Sequence, residues 1–235
     1  MMVEAAHRTT IRLNGADLEP DLSGALFWRA RNTLIVADLH FEKGSALASR
    51  GQLLPPYDTR STLKKLNEAL HRTEAARVIS LGDSFHDGDA GARLPNEDRA
   101  ALIDLTNRVE WIWVAGNHDP EPPPDLGGTI VEEFTDGPLL FRHEASNRPS
   151  AGEVSGHFHP KATVKTRMSR VSARCFVSDG RRLILPSFGA FTGGLNVRDP
   201  AIEQHFPQGF NIWLLGRSGI HRFPKSATLG RSTKG

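Results

Sequence analysis

A chain of 235 residues, 38% hydrophobic and 24% charged, is long enough for one domain with a full-sized core, and no stretch approaches the roughly 18 apolar residues of a membrane span. A single cysteine, Cys175 in the apolar run CFV, excludes a disulfide framework and reads as a small core residue, so a cytoplasmic location is expected. The net charge of +2 hides an asymmetry: residues 1–153 carry 16 Lys and Arg against 24 Asp and Glu, and residues 154–235 carry 13 against 3. No acid lies between Val154 and Ser178, where Lys161, Lys165, Arg167, Arg170 and Arg174 fall, which suits either a solvated face or a surface that meets a polyanion.

In chain order, TLIVADLH (33–40) reads as a buried strand with a polar end. DTRSTLKKLNEALHR (58–72) follows as a helix with Leu63, Leu66 and Leu70 on one face and Asp58 as cap. RVISLGD is a second strand, NEDRAALIDLTNRV a second helix with Asn96 as cap and Leu102, Leu105 and Val109 inward, and EWIWVAGN a third strand. This βαβαβ order predicts a parallel sheet. From Thr129 only strands follow: TIVEEF, LLFRHE, EVSGHF, ATVKTRM, VSARCFV, RLILPSF and FNIWLLG, with Asp179-Gly180 as a hairpin turn. The expected fold is an α/β (α+β) four-layer αββα sandwich, two packed mixed sheets flanked by helices. One domain should span 1–224, with a basic, flexible tail over 225–235, and Trp28, Trp111, Trp113 and Trp213 belong to the core.

Chemistry-bearing residues gather where these strands stop. VADLH ends on Asp38 and His40, SLGDSFHD on Asp83 with His86 and Asp87, VAGNHD on Asn117 and His118, LLFRHE on His143, and VSGHFHP carries His157 and His159. Side-chain alternation along a strand would put His157 and His159 on one face. Ligand sites in parallel sheets lie beyond the carboxyl ends of the strands, so these five loops should converge. Carboxylates, imidazoles and an amide together suit Mn, Fe or Zn.

The order Asp-x-His, Gly-Asp, Gly-Asn-His-Asp, a lone His and Gly-His-x-His resembles that of the calcineurin-like metallophosphoesterases over nearly the whole chain. The resemblance implies two divalent metal ions, Mn first with Fe or Zn as alternatives. Asp38, His40 and His159 would hold one, Asn117, His143 and His157 the other, and Asp83 would bridge them. It implies phosphodiester hydrolysis by a hydroxide held between the ions, with His118 protonating the leaving group. His86 would touch substrate, orient a ligand or cap its loop, and Gly82 and Gly156 would let the backbone approach the metals.

ADLHFEKG, LGDSFHD and LPSFGAFTGGLN are similar, more narrowly, to bacterial ligase-associated DNA damage response endonucleases. That likeness implies an endonuclease of DNA repair, a nucleic-acid substrate, and association with a DNA ligase and a helicase. The long DNA-binding extension of the related double-strand-break nuclease has no counterpart after IWLLGRSGIHRF, so any grip on DNA is expected from the domain surface, the basic segment or other proteins. Lys165 and Arg167, placed by alternation on one face near the metals, would join His86 in substrate binding. The Gly-rich segment 189–194 reads as a sharp turn or as backbone donors near the site. Two other functions fit the same residues: hydrolysis of small phosphoesters such as cyclic nucleotides or nucleotide metabolites, and a non-catalytic metal-binding scaffold, against which the presence of His118 argues.

Overall fold

The computed structural model describes residues 9–48, 51, 57–119, 122–148, 150–165 and 169–230. It opens on an antiparallel meander absent from the sequence expectations: β1 (Ile11–Leu13), β2 (Ala16–Pro20) and β3 (Leu26–Trp28). Asn14 and Gly15 join the first two strands, both with positive φ (45° and 87°), as a tight two-residue hairpin needs. Next come β4 (Thr33–Ala37), α1 (Lys43–Ala48), α2 (Asp58–Thr73), β5 (Arg77–Leu81), α3 (Ala90–Arg93), α4 (Asn96–Arg108), β6 (Glu110–Val114) and β7 (Thr129–Val131). The seven strands make one sheet in sequence order, parallel from β4 to β7.

Neither expected cap forms. α2 starts behind Tyr57 and α4 behind Pro95 without a side-chain cap bond. Asp58 instead accepts the Gly44 N–H at 2.9 Å, tying α1 to α2. The expected strand TIVEEF also splits, because β7 stays with β6 whereas β8 (Phe134–Asp136) opens a second sheet.

That sheet holds β9 (Leu139–Phe141), β10 (Glu153–Ser155), β11 (Lys161–Lys165), β12 (Arg170–Ser178) and β13 (Arg182–Ile184); after α5 (Pro200–Glu203) come β14 (Asn211–Leu215), β15 (Ile220–Pro224) and β16 (Thr228–Leu229). Asp179 turns β12 into β13 by accepting the N–H groups of Arg181 and Arg182, each at 2.8 Å. Residues 225–229, placed in the tail from sequence, form a 3-10 turn and the strand β16, which pairs with β11. Residues 231–235 lie outside the described residues.

Alternation along the strands sorts side chains into three apolar layers. Ile35, Ile79, Leu81, Ile112 and Val114 meet Phe141, Val154, Phe176, Leu183 and Trp213 between the sheets. On the outer face of the first sheet, Leu34, Val36, Val78 and Trp111 pack under Leu63, Leu66, Leu70, Leu102 and Leu105 of α2 and α4. Each such leucine contributes about 1.5–3 kcal/mol by burial. On the far face of the second sheet, Cys175, Val177 and Ile212 pack on Ile202, Phe206 and Phe210. The four-layer sandwich is therefore present with a thin fourth layer, since α5 has only four residues. All four tryptophans are buried.

Candidate metal centre

Past Ala37 the chain leaves β4 through two left-handed residues, Asp38 (φ 54°) and His40 (φ 47°), and past Leu81 it leaves β5 through Gly82 and Asp83 (φ 66° and 44°). Such backbone is unfavourable for residues with side chains. A ladder continuing beyond the strands holds it: Asp38 N–H donates to Gly82 O at 3.3 Å, His40 N–H to Asp83 O at 2.9 Å and Phe41 N–H to Ser84 O at 2.8 Å.

The strand expected through EVSGHF stops at Ser155. His157 and His159 follow it in a loop, also left-handed (φ 69° and 47°), so alternation does not orient them. Their rings part company. His159 Nε2 lies 3.2 Å from His40 Nε2, and His157 Nδ1 lies 3.1 Å from His143 Nε2. Ligand atoms of Asp38, His40 and His159 all fall within 4.8 Å of one another, as do those of Asp83, His143 and His157. Asn117 joins the second group, its Oδ1 2.8 Å from His143 Nε2. The groups adjoin, because the Asp38 carboxylate accepts the His157 N–H at 3.0 Å and stands 3.9 Å from His143 Nδ1.

Proton placement shows what the second group is built to hold. His143 Nδ1 faces the Leu81 carbonyl at 3.0 Å and must donate to it, which leaves Nε2 of the neutral ring a bare lone pair. That lone pair faces Asn117 Oδ1 and, at 3.4 Å, Asp83 Oδ1, both acceptors. Acceptors that converge with no proton between them fit a cation. Glycines make the approach possible: a Cβ on Gly82 would lie 2.4 Å from His143 Nδ1, and one on Gly156 would lie 2.8 Å from Asp38 Oδ2.

A family model for calcineurin-like phosphoesterases matches residues 31–205. The chain belongs to that family. Its fold is similar to that of Pseudomonas putida nuclease MPE, with a TM-score of 0.71 and 29% sequence identity over 92% of this chain and 100% of that one. Yfce, a phosphoesterase from E. coli, gives a TM-score of 0.42 at 14% identity, covering 81% of this chain and 97% of that one. No curated protein matches the sequence. The protein is an enzyme of the metallophosphoesterase class, with two candidate clusters for its metals.

In this metallophosphoesterase, burial and neighbouring charges shift Asp38, His40 and His157. Burial works to raise the Asp38 carboxyl, but His159, His143 and His40 outweigh it and hold the group below its usual value. Burial brings His40 down to about 3, with Asp38 opposing, and lowers His157 together with the nearby His143. His40 Nδ1 is buried without a hydrogen-bond partner.

His118 is open to solvent, with a side chain 46% exposed and Nε2 4.0 Å from Asp83 Oδ2. Its backbone N–H donates to Asp83 Oδ1 at 3.0 Å. His86 lies flat against it, ring centroids 5.7 Å apart and 13° between planes, and both rings meet His40 edge-on. Asp87 turns away and receives Arg93 at 2.7 Å.

The basic segment departs from expectation. β11 begins at Lys161 and carries Lys165 about 13 Å farther along extended chain, so Lys165 is exposed but not beside the clusters. Arg167 lies outside the described residues. Arg174 donates to the carbonyls of Ser187 (2.5 Å) and Ser23 (3.3 Å) and braces two loops. The Gly-rich segment 189–194 brings one backbone donor close, but it serves the protein: Gly189 N–H reaches Asp38 O at 3.1 Å, just after Phe188 N–H reaches Ala37 O at 2.7 Å.

Asp119, the last residue of GNHD, has no role in the sequence expectations although the motif contains it. It is 3% exposed and accepts the Phe85 N–H at 3.0 Å, holding the Asp83 loop against the His118 loop. Burial pushes its carboxyl up to about 8, with Phe85 opposing and Asp83 reinforcing.

Two predictions follow from this geometry. Elemental analysis of His143→Ala and of His159→Ala should each show loss of about half the wild-type metal, whereas a shared single site would lose all of it in both. Asp119 binds its proton more tightly folded than unfolded, so its contribution to stability is full below its unfolded value near 3.8 and is lost as pH rises through about 8. In chelator, the melting advantage of Asp119→Asn over wild type should therefore grow from pH 5 to about 8 and then level off. An advantage independent of pH would contradict the raised carboxyl.

Proposed function

We propose that this metallophosphoesterase is a two-metal phosphodiesterase that cleaves nucleic acid, with His118 as proton donor. The observation that carries the chemistry is the convergence of candidate ligand atoms in two adjoining groups beside an exposed imidazole. In this reading Asp38, His40 and His159 would hold one ion and Asn117, His143 and His157 the other, with Asp83 as the shared carboxylate. Imidazole and amide donors favour Mn, then Fe or Zn, over Mg. When bound, such a pair supplies positive charge to the phosphoryl oxygens and acidifies water at neutral pH.

The chain's own side chains do the remaining work. His118 Nε2 delivers a proton to the leaving oxygen as the water oxygen bonds to phosphorus and the leaving oxygen's bond breaks, while the His118 backbone N–H is held by the Asp83 carboxylate and the His86 ring lies parallel to the imidazole. Buried Asp119 keeps the His118 loop in register with Asp83.

Two observations favour a polynucleotide. One is the 29% identity to a nuclease over that protein's full length. The other is a cationic ribbon: on one face of the β11–β12 pair, Lys161 stands opposite Arg174, Thr163 opposite Ser172 and Lys165 opposite Arg170. The reverse face is apolar and packed. With Arg174 engaged, Lys161, Lys165 and Arg170 are left to follow phosphates away from the metals, and no acid between Val154 and Ser178 neutralises them. The motif likeness to ligase-associated endonucleases makes DNA under repair the substrate we favour, with a ligase and a helicase acting beside it.

Chelation should abolish hydrolysis and Mn²⁺ should restore it better than Mg²⁺. His118→Ala should lower kcat by about 10²–10⁴ with metal content unchanged, and the loss should shrink when the leaving group is p-nitrophenol, which needs no proton. Equal losses on good and poor leaving groups would remove His118 from that role. Neutralising about three phosphates of single-stranded DNA gives a log-log salt slope near −2, which the triple change of Lys161, Lys165 and Arg170 to Gln should flatten. An unaltered slope, with turnover only of cyclic nucleotides or small diesters, would instead identify a small-phosphoester hydrolase.

A further inference from the structure

The segment between β13 and α5 is anchored at both ends to residues of one metal cluster. Ser187 Oγ and the Gly189 N–H both donate to Asp38 O, at 3.0 and 3.1 Å, and the Leu195 N–H donates to His159 O at 3.2 Å. Between these anchors Ala190 N–H is tied to Thr62 Oγ1 of α2 at 3.0 Å, and Thr192 Oγ1 donates back to Gly189 O at 3.2 Å. At the crest of the resulting turn stands Phe191, 50% exposed and left-handed (φ 55°).

That placement needs a reason. A bulky residue is disfavoured in left-handed backbone, and an aromatic ring gains nothing from water. Every Trp and every other Phe among the described residues is buried or half-buried. Tyr57, 62% exposed, is the one other exposed aromatic among the described residues. It precedes the first turn of α2 and is separate from the Phe191 turn, which is tied to Thr62. Phe191 lies two residues from Gly189, so its Cα is within about 7 Å of the residue that touches Asp38. Lys161 adjoins the other anchor, its N–H donating to Leu195 O at 2.8 Å.

A ligand that meets both this turn and the metal clusters must present a flat apolar ring within one residue's reach of a phosphate. A nucleotide with its base unpaired has that form. Resting on the nucleic-acid reading above, we propose that Phe191 is the surface on which an unpaired base next to the scissile phosphate stacks. Stacking on an aromatic ring accepts any base, so the contact selects for a base free of its partner strand and not for a sequence.

The test is binding of manganese-loaded protein to a non-cleavable phosphorothioate single strand, and to a matched strand lacking its central bases, followed by fluorescence anisotropy. Phe191→Ala should weaken binding of the base-bearing strand by about 5- to 150-fold, the range expected for one stacked base. Phe191→Trp should restore it, and wild type and both variants should bind the abasic strand alike. Metal content and melting temperature of each variant establish that the fold is kept. Unchanged binding of the base-bearing strand by Phe191→Ala overturns the inference, as does an equal loss on the abasic strand. A wild type that binds neither strand overturns the nucleic-acid reading itself, and the inference with it.

Discussion

The structure turns on one carboxylate placed wholly out of water. Asp38 is 0% exposed at the junction of the two sheets, where an uncompensated charge is costly by several kcal/mol. Its compensation comes from the other sheet: the His157 N–H, the His159 ring 3.5 Å away and the His143 ring. Its own carbonyl accepts Ser187 Oγ and the Gly189 N–H, and its N–H reaches the β5 loop. One residue thus joins β4, β5 and the loops after β10 and β13. Neutral imidazoles supply dipoles and ligand atoms but no net charge, so a bound cation would supply the charge that balances this carboxylate.

Strain is concentrated at the same place. Asp38, His40, Glu42, Asp83, His157 and His159 all adopt left-handed backbone. Residues in that region cost of order 1–3 kcal/mol each and persist where surrounding structure over-determines them. Here the over-determination is visible in the ladder that continues from β4 and β5 into their loops and in the glycines on which His143 and Asp38 rest. These backbone contacts hold the candidate ligands at fixed spacing, as preorganised sites require.

Much of this was legible from residue order. The buried runs of β4, β5 and β6, and the leucines of α2 and α4 at helical spacing, give the first sheet and its cover, and the polar residues that end each strand give the clusters. What escaped did so for physical reasons. The expected strand EVSGHF runs past Ser155 to include His157 because left-handed φ in non-glycine residues leaves no pattern in sequence. Asp58 was drawn from capping to the Gly44 N–H by a tertiary contact, and Arg174 from solvent to two carbonyls. The split of TIVEEF between sheets is a register matter that composition does not encode. Asn14-Gly15, in contrast, carried a readable hairpin signal, and Asp119 stood within a motif whose other members had roles.

We infer that two separate groups of side chains would hold two ions with Asp83 between them. Anomalous diffraction at the manganese edge, from crystals grown with Mn²⁺, tests it directly. The account predicts two peaks, one bounded by Asp38, His40 and His159 and one by Asn117, His143 and His157, with the Asp83 carboxylate contacting both. A single peak, or a second ion that Asp83 does not touch, would contradict it.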